Sequence, residues 1–230
     1  MGFDASALPD VSRLTVAILG GTGDQGRGLA YRWARAGQRV LIGSRSAERG
    51  AAAAADIGSM PGVRGQVSGA DNETVCREAD VTVIAVPWEG HTETVAALKD
   101  ALAGKLVVDC VNPLGFDKRG AYPVPVPEGS AAQQAAALLP DSRVCAAFHH
   151  VSSVLLADPE VESVELDVLV LGDDADAVAI VQALAGRITG VRGVHAGRLR
   201  NAGQVEALTA NLIAINRRYK VHAGIRITDL

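Results

Sequence analysis

The chain has 230 residues, 48% of them hydrophobic and only 3% aromatic, and its formal net charge is −4 at pH 7. This length suits one doubly wound α/β domain with a smaller second part, whose core must consist mainly of Ala, Val, Leu and Ile. The negative charge argues against nucleic-acid binding, and no apolar run is long enough to span a bilayer, so we expect neither nucleic acid nor membrane as a partner.

The three cysteines, Cys76, Cys110 and Cys145, are far apart and show no C-x-x-C spacing. An odd number with this spacing predicts neither a disulfide framework nor a zinc site, and we expect no metal. The pattern fits a reducing compartment, so we expect the protein to be cytoplasmic.

An apolar run that breaks into glycines begins near Leu14 and predicts a β-strand, a phosphate-binding turn and the start of a helix. The pattern G-x-G-x-x-G follows the strand, in the residues Gly21, Thr22, Gly23, Asp24, Gln25 and Gly26. Its glycines allow a tight turn and a close approach of the backbone to a pyrophosphate, which the helix N–H groups then face. The stretch therefore predicts dinucleotide binding, the alternative being a glycine turn without a ligand.

The end of the second strand, expected over 38–43, indicates which dinucleotide is bound. An acidic residue there would bind the ribose 2′-hydroxyl of NAD. This chain instead has Ser44 and Arg45, with Arg49 one turn later. A hydroxyl and two guanidinium groups can bind a 2′-phosphate, which favours NADP. Alternatively, the arginines belong to a solvated helix start, and Glu48 is then the nearest acid.

Further elements continue the α/β alternation, with a short strand expected over 63–67, a helix over 71–79 and a strand over 81–86. The last strand is almost entirely apolar, as expected for a parallel strand covered on both faces. It ends in Val86, Pro87 and Trp88, at the edge where open α/β sheets bind ligands. Trp88 is a candidate wall for the nicotinamide, or simply a packed aromatic after a helix-starting proline.

Asn112 and Pro113 follow another predicted strand, over 106–110, and lead into a long loop expected over 116–129. A strand over 143–148 then ends at His149 and His150. Two adjacent histidines point in different directions and suit one metal ion poorly. We expect one of them to line the substrate cleft as a hydrogen-bond donor or proton carrier.

The remainder predicts a strand over 164–171, a helix after Asp173 and Asp174, a short strand at 193–195 and a long terminal helix from Leu199. The apolar face of that helix should pack on a partner subunit or close over the cleft, and we expect a homodimer. We divide the chain into a flexible N-terminal extension (1–13), a Rossmann-type NADP-binding domain (14–153) and a small C-terminal α/β domain with the long helix (154–230).

The chain lacks the residues that many dehydrogenases use as a proton donor. There is no Tyr-x-x-x-Lys pair, and none of the four lysines lies in an apolar helix. A keto or alcohol substrate requires a positioned proton donor, whereas a substrate that is itself a hydride carrier requires mainly orientation. The sequence therefore favours hydride transfer between two cofactors.

Several segments together resemble the F420H2:NADP oxidoreductases, the deazaflavin-dependent NADP reductases of archaea and actinobacteria. The segments that carry the resemblance are 19–30, Gly43-Ser44-Arg45, Val86-Pro87-Trp88-Glu89, the turn at His149, 197–201 and 205–209. The resemblance runs from about Leu14 to the C-terminus. It implies a dimeric oxidoreductase that passes hydride reversibly between C5 of the deazaflavin of coenzyme F420 and C4 of the nicotinamide of NADP(H), with small-molecule cofactors as its only partners.

The resemblance also implies roles for single residues. The positions of Thr22–Gln25 hold the pyrophosphate, and those of Ser44, Arg45 and Arg49 hold the 2′-phosphate. The positions of Val86, Asn112 and Ser153 lie along the nicotinamide, and that of His149 abuts the deazaflavin. The family has Thr where His150 stands and Pro where Ser152 stands, so no role for His150 is implied.

Two other functions stay open from the sequence. The first is an NADPH-dependent reductase of a small imine or keto compound, in which His149 or His150 would supply the proton. The second is a redox sensor that binds NADP(H) without turnover.

Overall fold

A computed structural model describes residues 4–230, and its centre is a single eight-stranded sheet. The strands, in chain order and including a separate hairpin of β6 and β7, are β1 (Thr15–Leu19), β2 (Arg39–Ser44), β3 (Val67–Asp71), β4 (Val81–Ile84), β5 (Leu106–Asp109), β6 (Leu114–Asp117), β7 (Gly120–Pro123), β8 (Arg143–Ala146), β9 (Leu166–Gly172) and β10 (Val191–Gly197).

Helices cover both faces of this sheet. They are α1 (Asp24–Arg35), α2 (Ala47–Gly58), α3 (Asn72–Glu78), α4 (His91–Ala97), α5 (Lys99–Leu102), α6 (Ala131–Leu138), α7 (Ser153–Ala157), α8 (Ala175–Gly186) and α9 (Ala202–Tyr219). Within residues 4–230, no helix is both long enough and apolar enough to cross a membrane.

The strand order is β3-β2-β1-β4-β5-β8-β9-β10, and all neighbours run parallel except β8 and β9. From β1 the chain winds outward to β2 and β3, and it then crosses back to place β4 on the other side of β1. The direction of winding therefore reverses between β1 and β4. In open α/β sheets the crevice at such a reversal, beyond the carboxyl ends of the strands, binds ligands. The predicted Rossmann-type α/β fold with a long terminal helix is confirmed.

The core lies in two layers, one on each face of the sheet. All five residues of β1 are buried, as expected for a central strand packed on both faces. On the face of α1 and α8, Trp33 packs edge-on against Phe148 with ring centroids 5.4 Å apart, and its indole N–H donates to the carbonyl of Leu184 at 2.9 Å. This aromatic pair joins α1 to the turn after β8.

The structure differs from the sequence predictions in three elements. The loop expected over 116–129 begins with an antiparallel hairpin, because Leu114–Asp117 pairs with Gly120–Pro123. The strand expected over 63–67 lies at Val67–Asp71. The short helix Ser153–Ala157 was not predicted.

The predicted division into domains stays a prediction, although two observations bear on it. Strands β9 and β10 extend the same sheet as β1–β5. Val11, in the extension expected to be flexible, is buried, and its carbonyl accepts a hydrogen bond from the Gln38 side chain at 2.9 Å. Residues 1–3 of that extension lie outside the described residues.

Candidate functional site

The turn between β1 and α1 is closed by glycines that leave no room for side chains. Gly20 has a φ of +79°, and a Cβ there would stand 2.5 Å from the carbonyl oxygen of Ala85. The N–H of Gly23 donates to the carbonyl of Gly20 at 2.9 Å, and Gly23 begins α1 without a side-chain cap. The backbone at the amino end of α1 is therefore open to an anionic group.

Gly21 and Gly26 serve packing and do not line the cleft. A Cβ on Gly21 would meet the side chain of Ile42 at 2.9 Å, and a Cβ on Gly26 would meet the carbonyl oxygen of Gly20 at 2.6 Å. Both residues therefore let strand, turn and helix approach closely, and Gly26 has the packing role that the G-x-G-x-x-G pattern gives to its third glycine.

A first cleft, of about 550 Å³, lies along this turn and the ends of β2 and β4. Ser44 is buried at its wall, while Arg45 and Arg49 are exposed at its rim, and neither arginine forms an ion pair within residues 4–230. The predicted residues that line this cleft are Thr22, Gly23, Asp24, Gln25, Ser44, Arg45, Arg49, Val86 and Pro87. Two free guanidinium groups beside a hydroxyl form an anion-binding rim.

A second cleft, of about 230 Å³, continues from the first across the ends of β4 and β5. Its walls include the predicted residues Val86, Pro87, Trp88 and Asn112, together with Cys110. Burial raises the pKa of the Cys110 thiol, whose Sγ donates to the carbonyl of Ile84 at 3.1 Å. Cys110 is therefore a neutral wall residue and no nucleophile.

A third cleft, of about 310 Å³, lies between the turn after β8 and α9. Its lining includes His149, His150, Ser153, Thr209 and His222. Gln25 lines all three clefts, and His149 lines the second and third. The three clefts therefore form one continuous groove along the carboxyl edge of the sheet.

Both histidines of the turn are buried, and their four ring nitrogens have no hydrogen-bond partner within the part of the chain that the structure describes. Burial lowers the pKa of His149 to about 3 and that of His150 to about 4. Both imidazoles are therefore neutral near pH 7. A buried polar group without a partner is costly, so these unpaired nitrogens single out the turn as an unusual part of the structure.

The backbone of this turn is held from several elements. Phe148 adopts a left-handed φ of +65°, which is rare for a bulky residue. Its carbonyl accepts from the Gln25 side chain at 3.1 Å. The carbonyl of His149 accepts from Asn112 Nδ2 at 2.8 Å and from Thr209 Oγ1 at 3.2 Å. Side chains after β1 and β5 and on α9 thus fix the junction of the second and third clefts.

Comparisons with known proteins agree with this site. Residues 15–113 match the family model described as "NADP oxidoreductase coenzyme F420-dependent". The chain is 40% identical to the F420-dependent NADP reductase of Methanothermobacter thermautotrophicus over 224 residues, 94% of this chain and 96% of the relative. The reductase of the same name from Methanocaldococcus jannaschii is 39% identical over 94% of this chain and 99% of its own. This chain belongs to the F420-dependent NADP reductase family.

A solved structure supports the same assignment. It is that of an Arthrobacter sp. FB24 protein described as a candidate F420-dependent NADP reductase, which superposes with a TM-score of 0.76 at 27% identity. The alignment covers 94% of this chain and 99% of that one. The predicted family membership is confirmed over nearly the whole length of this family member.

Four predicted cofactor-binding residues do not line the cleft in which we expect them: Gly21 and Gly26, which pack the turn, together with Pro113 and Ser153. Pro113 lines none of the three clefts; its carbonyl instead accepts from the N–H of Val124 at 2.8 Å, beside the hairpin. Ser153, expected along the nicotinamide, lines the third cleft. The roles predicted for all these residues stay predictions.

The residues of the groove that sequence reasoning missed include Gly20, Asn72 and Thr209. Gly20 precedes the motif as counted, yet it makes the closest approach to β4. Asn72 lines the first cleft, and its buried Oδ1 has no partner within residues 4–230. Thr209 reaches the His149 turn from α9, across 60 positions of sequence. The glycine run could have indicated Gly20, whereas no local pattern marks the other two.

Proposed function

We propose that this protein is an F420H2:NADP oxidoreductase, which transfers hydride reversibly between C5 of the deazaflavin of coenzyme F420 and C4 of the nicotinamide of NADP. The observation that carries the proposal is the continuous groove, in which Gln25 and His149 stand where a cleft for a dinucleotide meets a second ligand cleft. Its reactants carry the hydride chemistry, so the protein has mainly to bind, orient and exclude water.

The first and second clefts fit NADP(H). The turn at Gly20–Gly23 presents backbone to a pyrophosphate, and Ser44 with the free Arg45 and Arg49 suits a 2′-phosphate. Asn72 also lines the first cleft. Trp88 and Asn112 wall the smaller cleft, where the nicotinamide would lie. With no acidic residue directly after β2, NADP is favoured over NAD.

The third cleft suits the deazaflavin. Its neutral histidine rings wall the cleft, the Thr209 hydroxyl can hydrogen-bond the polar edge of a flat ring, and Val154 and Leu212 offer apolar contacts. We infer that His149 positions the ring at the junction with the second cleft. His150 has the same character but lies in the third cleft alone.

The imine or keto reductase alternative is disfavoured by the state of the histidines. Such a reaction needs a proton donor in the cleft, and imidazoles with pKa values of about 3 and about 4 are almost entirely neutral near pH 7. A direct exchange of hydride between two carriers has no such need. The non-catalytic sensor differs by its lack of turnover.

We also propose that the protein is a cytoplasmic homodimer. Its exposed large apolar residues include Phe116 and Tyr122 of the hairpin and Ile215 and Tyr219 of α9, the helix on which β7 packs. Exposed apolar side chains favour association, and a second copy is the partner that the family resemblance implies.

Mixing the protein with NADPH and oxidised F420 tests the proposed function, with NADH in parallel. We expect rapid loss of the visible absorbance of F420 with NADPH and little with NADH. Bleaching with both would contradict the 2′-phosphate assignment. Stoichiometric NADPH binding without bleaching would contradict the enzyme and favour the sensor or another acceptor.

A further inference from the structure

A buried polar network lies directly behind the second cleft. Its centre is His91, the first residue of α4, whose side chain is fully buried. Its Nε2 lies 2.6 Å from Oδ2 of Asp109 at the end of β5, and its Nδ1 lies 3.0 Å from Oε1 of Gln134 on α6. One imidazole thus links three elements.

The network determines how many protons the His91 ring carries. The amide of Gln134 directs its Nε2 to the carboxylate of Glu128 at 3.3 Å, and its Oε1 accepts from the hydroxyl of Thr92 at 2.8 Å. Since carboxylates only accept, the Gln134 oxygen must face His91, and both ring nitrogens of His91 meet acceptors. With Asp109 ionised, both nitrogens donate and the ring is an imidazolium.

Charges on the surrounding elements are consistent with this state. Burial by itself lowers the pKa of His91, but the hydrogen bond and charge of Asp109 raise it overall. Glu206 of α9, which accepts from the N–H groups of Ala131 and Ala132, also attracts the ring. Burial raises the pKa of Glu206 to about 7, so its attraction for the ring weakens as pH falls below neutrality.

The imidazolium is connected to the cleft by two routes. The ring of Trp88 lies over it, with centroids 5.5 Å apart and planes inclined by 31°, which is a cation–π stack. Asp109, held by His91, accepts from the N–H of Val111 at 3.0 Å through its other oxygen. Trp88 and Val111 both line the second cleft.

We propose that His91 is a positioning residue for the nicotinamide: as an imidazolium it fixes Trp88 by stacking, and through Asp109 it fixes the segment that follows β5. This inference rests on the proposed function, because it takes the second cleft as the nicotinamide site. His91 touches no reacting atom and acts through the wall of the cleft.

The protonation of the ring is measured first, without turnover. In protein labelled with nitrogen-15 at histidine, the spectrum of H91N identifies the His91 signals. At about pH 8, where an unperturbed histidine is neutral, we expect both nitrogens of His91 to remain protonated. Titration of His91 with a midpoint near the ordinary value of about 6.5 would overturn the proposal.

Fluorescence then reports on the stack. The chain has two tryptophans, so subtracting the spectrum of W88F isolates Trp88. Imidazolium quenches indole emission, and we expect H91N to increase the Trp88 signal. D109N keeps a hydrogen-bonding side chain at position 109 but removes the carboxylate charge that stabilises the imidazolium. It should therefore increase the Trp88 emission as much as H91N does, with little change in Tm. An unchanged signal in D109N would overturn the proposal.

The third measurement is turnover with F420. The kcat is expressed per NADPH-binding site, so that a variant with less folded protein is not mistaken for a slower enzyme. We expect H91N and W88L each to lower kcat by about tenfold with the KM for NADPH within about twofold, because the phosphate contacts are untouched. Because His91 acts through Trp88, the effects of the two substitutions on kcat should not add. The kcat of the double variant should stay within about threefold of that of the poorer single variant.

The control is H195N, the same substitution at an exposed histidine on β10, which should leave kcat unchanged. Additive losses in the double variant, near a hundredfold, would show that His91 does not act through Trp88. The spectroscopic results do not depend on F420, so failure of the proposed reaction remains distinguishable from failure of this inference.

Discussion

We expect single arginine side chains beside the first cleft to determine the affinity for NADP. Arg45 is exposed at the rim of the first cleft and has no ion-pair partner in the described chain. R45A should raise the KM for NADPH by at least about tenfold with little change in kcat, because a contact far from the reacting carbons stabilises ground and transition states equally. R64A, at an exposed arginine outside the groove, is the matched control. Equal losses in kcat and kcat/KM would contradict this assignment.

A second prediction concerns the buried histidines and the dependence of the free energy of unfolding on pH. The pKa of His150 is lowered from 6.5 to about 4 by burial, so between about pH 6.5 and pH 4 the unfolded chain binds more protons than the folded one. His150 therefore contributes stability above that pH that is lost as pH falls toward 4, up to about 3 kcal/mol.

Urea unfolding at several pH values checks this. H150Q should flatten the loss of stability between about pH 6.5 and pH 4, whereas H195Q, the same change at an exposed histidine, should keep the wild-type slope. If H150Q and the wild-type protein lose stability in parallel, His150 is not buried in its neutral form.

At the element scale, the turn between β1 and α1 depends on a backbone contact. A Cβ on Gly26 would stand 2.6 Å from the carbonyl oxygen of Gly20, which cannot move away without opening the turn. G26A should therefore cost about 1–3 kcal/mol of stability and weaken NADPH binding by at least about tenfold.

The matched control is G186A, at the last residue of α8, where a Cβ would meet no heavy atom within 4 Å. It should leave binding unchanged and stabilise the helix slightly. Thermal unfolding and NADPH titration measure both variants. Wild-type binding by G26A would mean that the turn does not form the phosphate site.

The helices and strands also show how far the sequence could predict the fold. Strands such as β4 and β5 can be predicted from the sequence, because a strand that is buried on both faces requires a nearly continuous apolar run. The edge strand β3 is only partly buried and reads Val-Ser-Gly-Ala-Asp, so its pattern is weak and its position was predicted too early. The hairpin of β6 and β7 lies among glycines and prolines that indicate a loop equally well.

The site was predictable in the same uneven way. Local spacing predicts the phosphate turn and the cations after β2, since each lies within one βαβ unit. The network of His91, Asp109 and Gln134 joins residues up to 43 positions apart, and the contact of Thr209 with His149 spans 60. Contacts of this kind follow from tertiary packing and leave no periodic pattern in one sequence.

At the scale of the whole molecule, the exposed apolar residues of α9 and the hairpin support the proposed homodimer. Phe116 and Tyr219 are each 69% exposed. Y219E should weaken the dimer by at least about tenfold, because a charge in an apolar interface must be desolvated. Sedimentation equilibrium measures this, with A51E on the exposed surface of α2 as control. A Y219E protein that associates like the wild type, or a monomeric wild type, would contradict the predicted interface.

The groove as a whole implies that hydride passes directly from one ligand to the other. The measurement that tests this most directly is the mass of the reduced F420 formed from NADPH that carries deuterium at C4 of the nicotinamide, in either configuration, in ordinary water. Direct transfer predicts one deuterium in reduced F420 from one of the two labelled forms and none from the other. Reduced F420 without deuterium from both forms would contradict it, because the hydrogen would then have come from solvent.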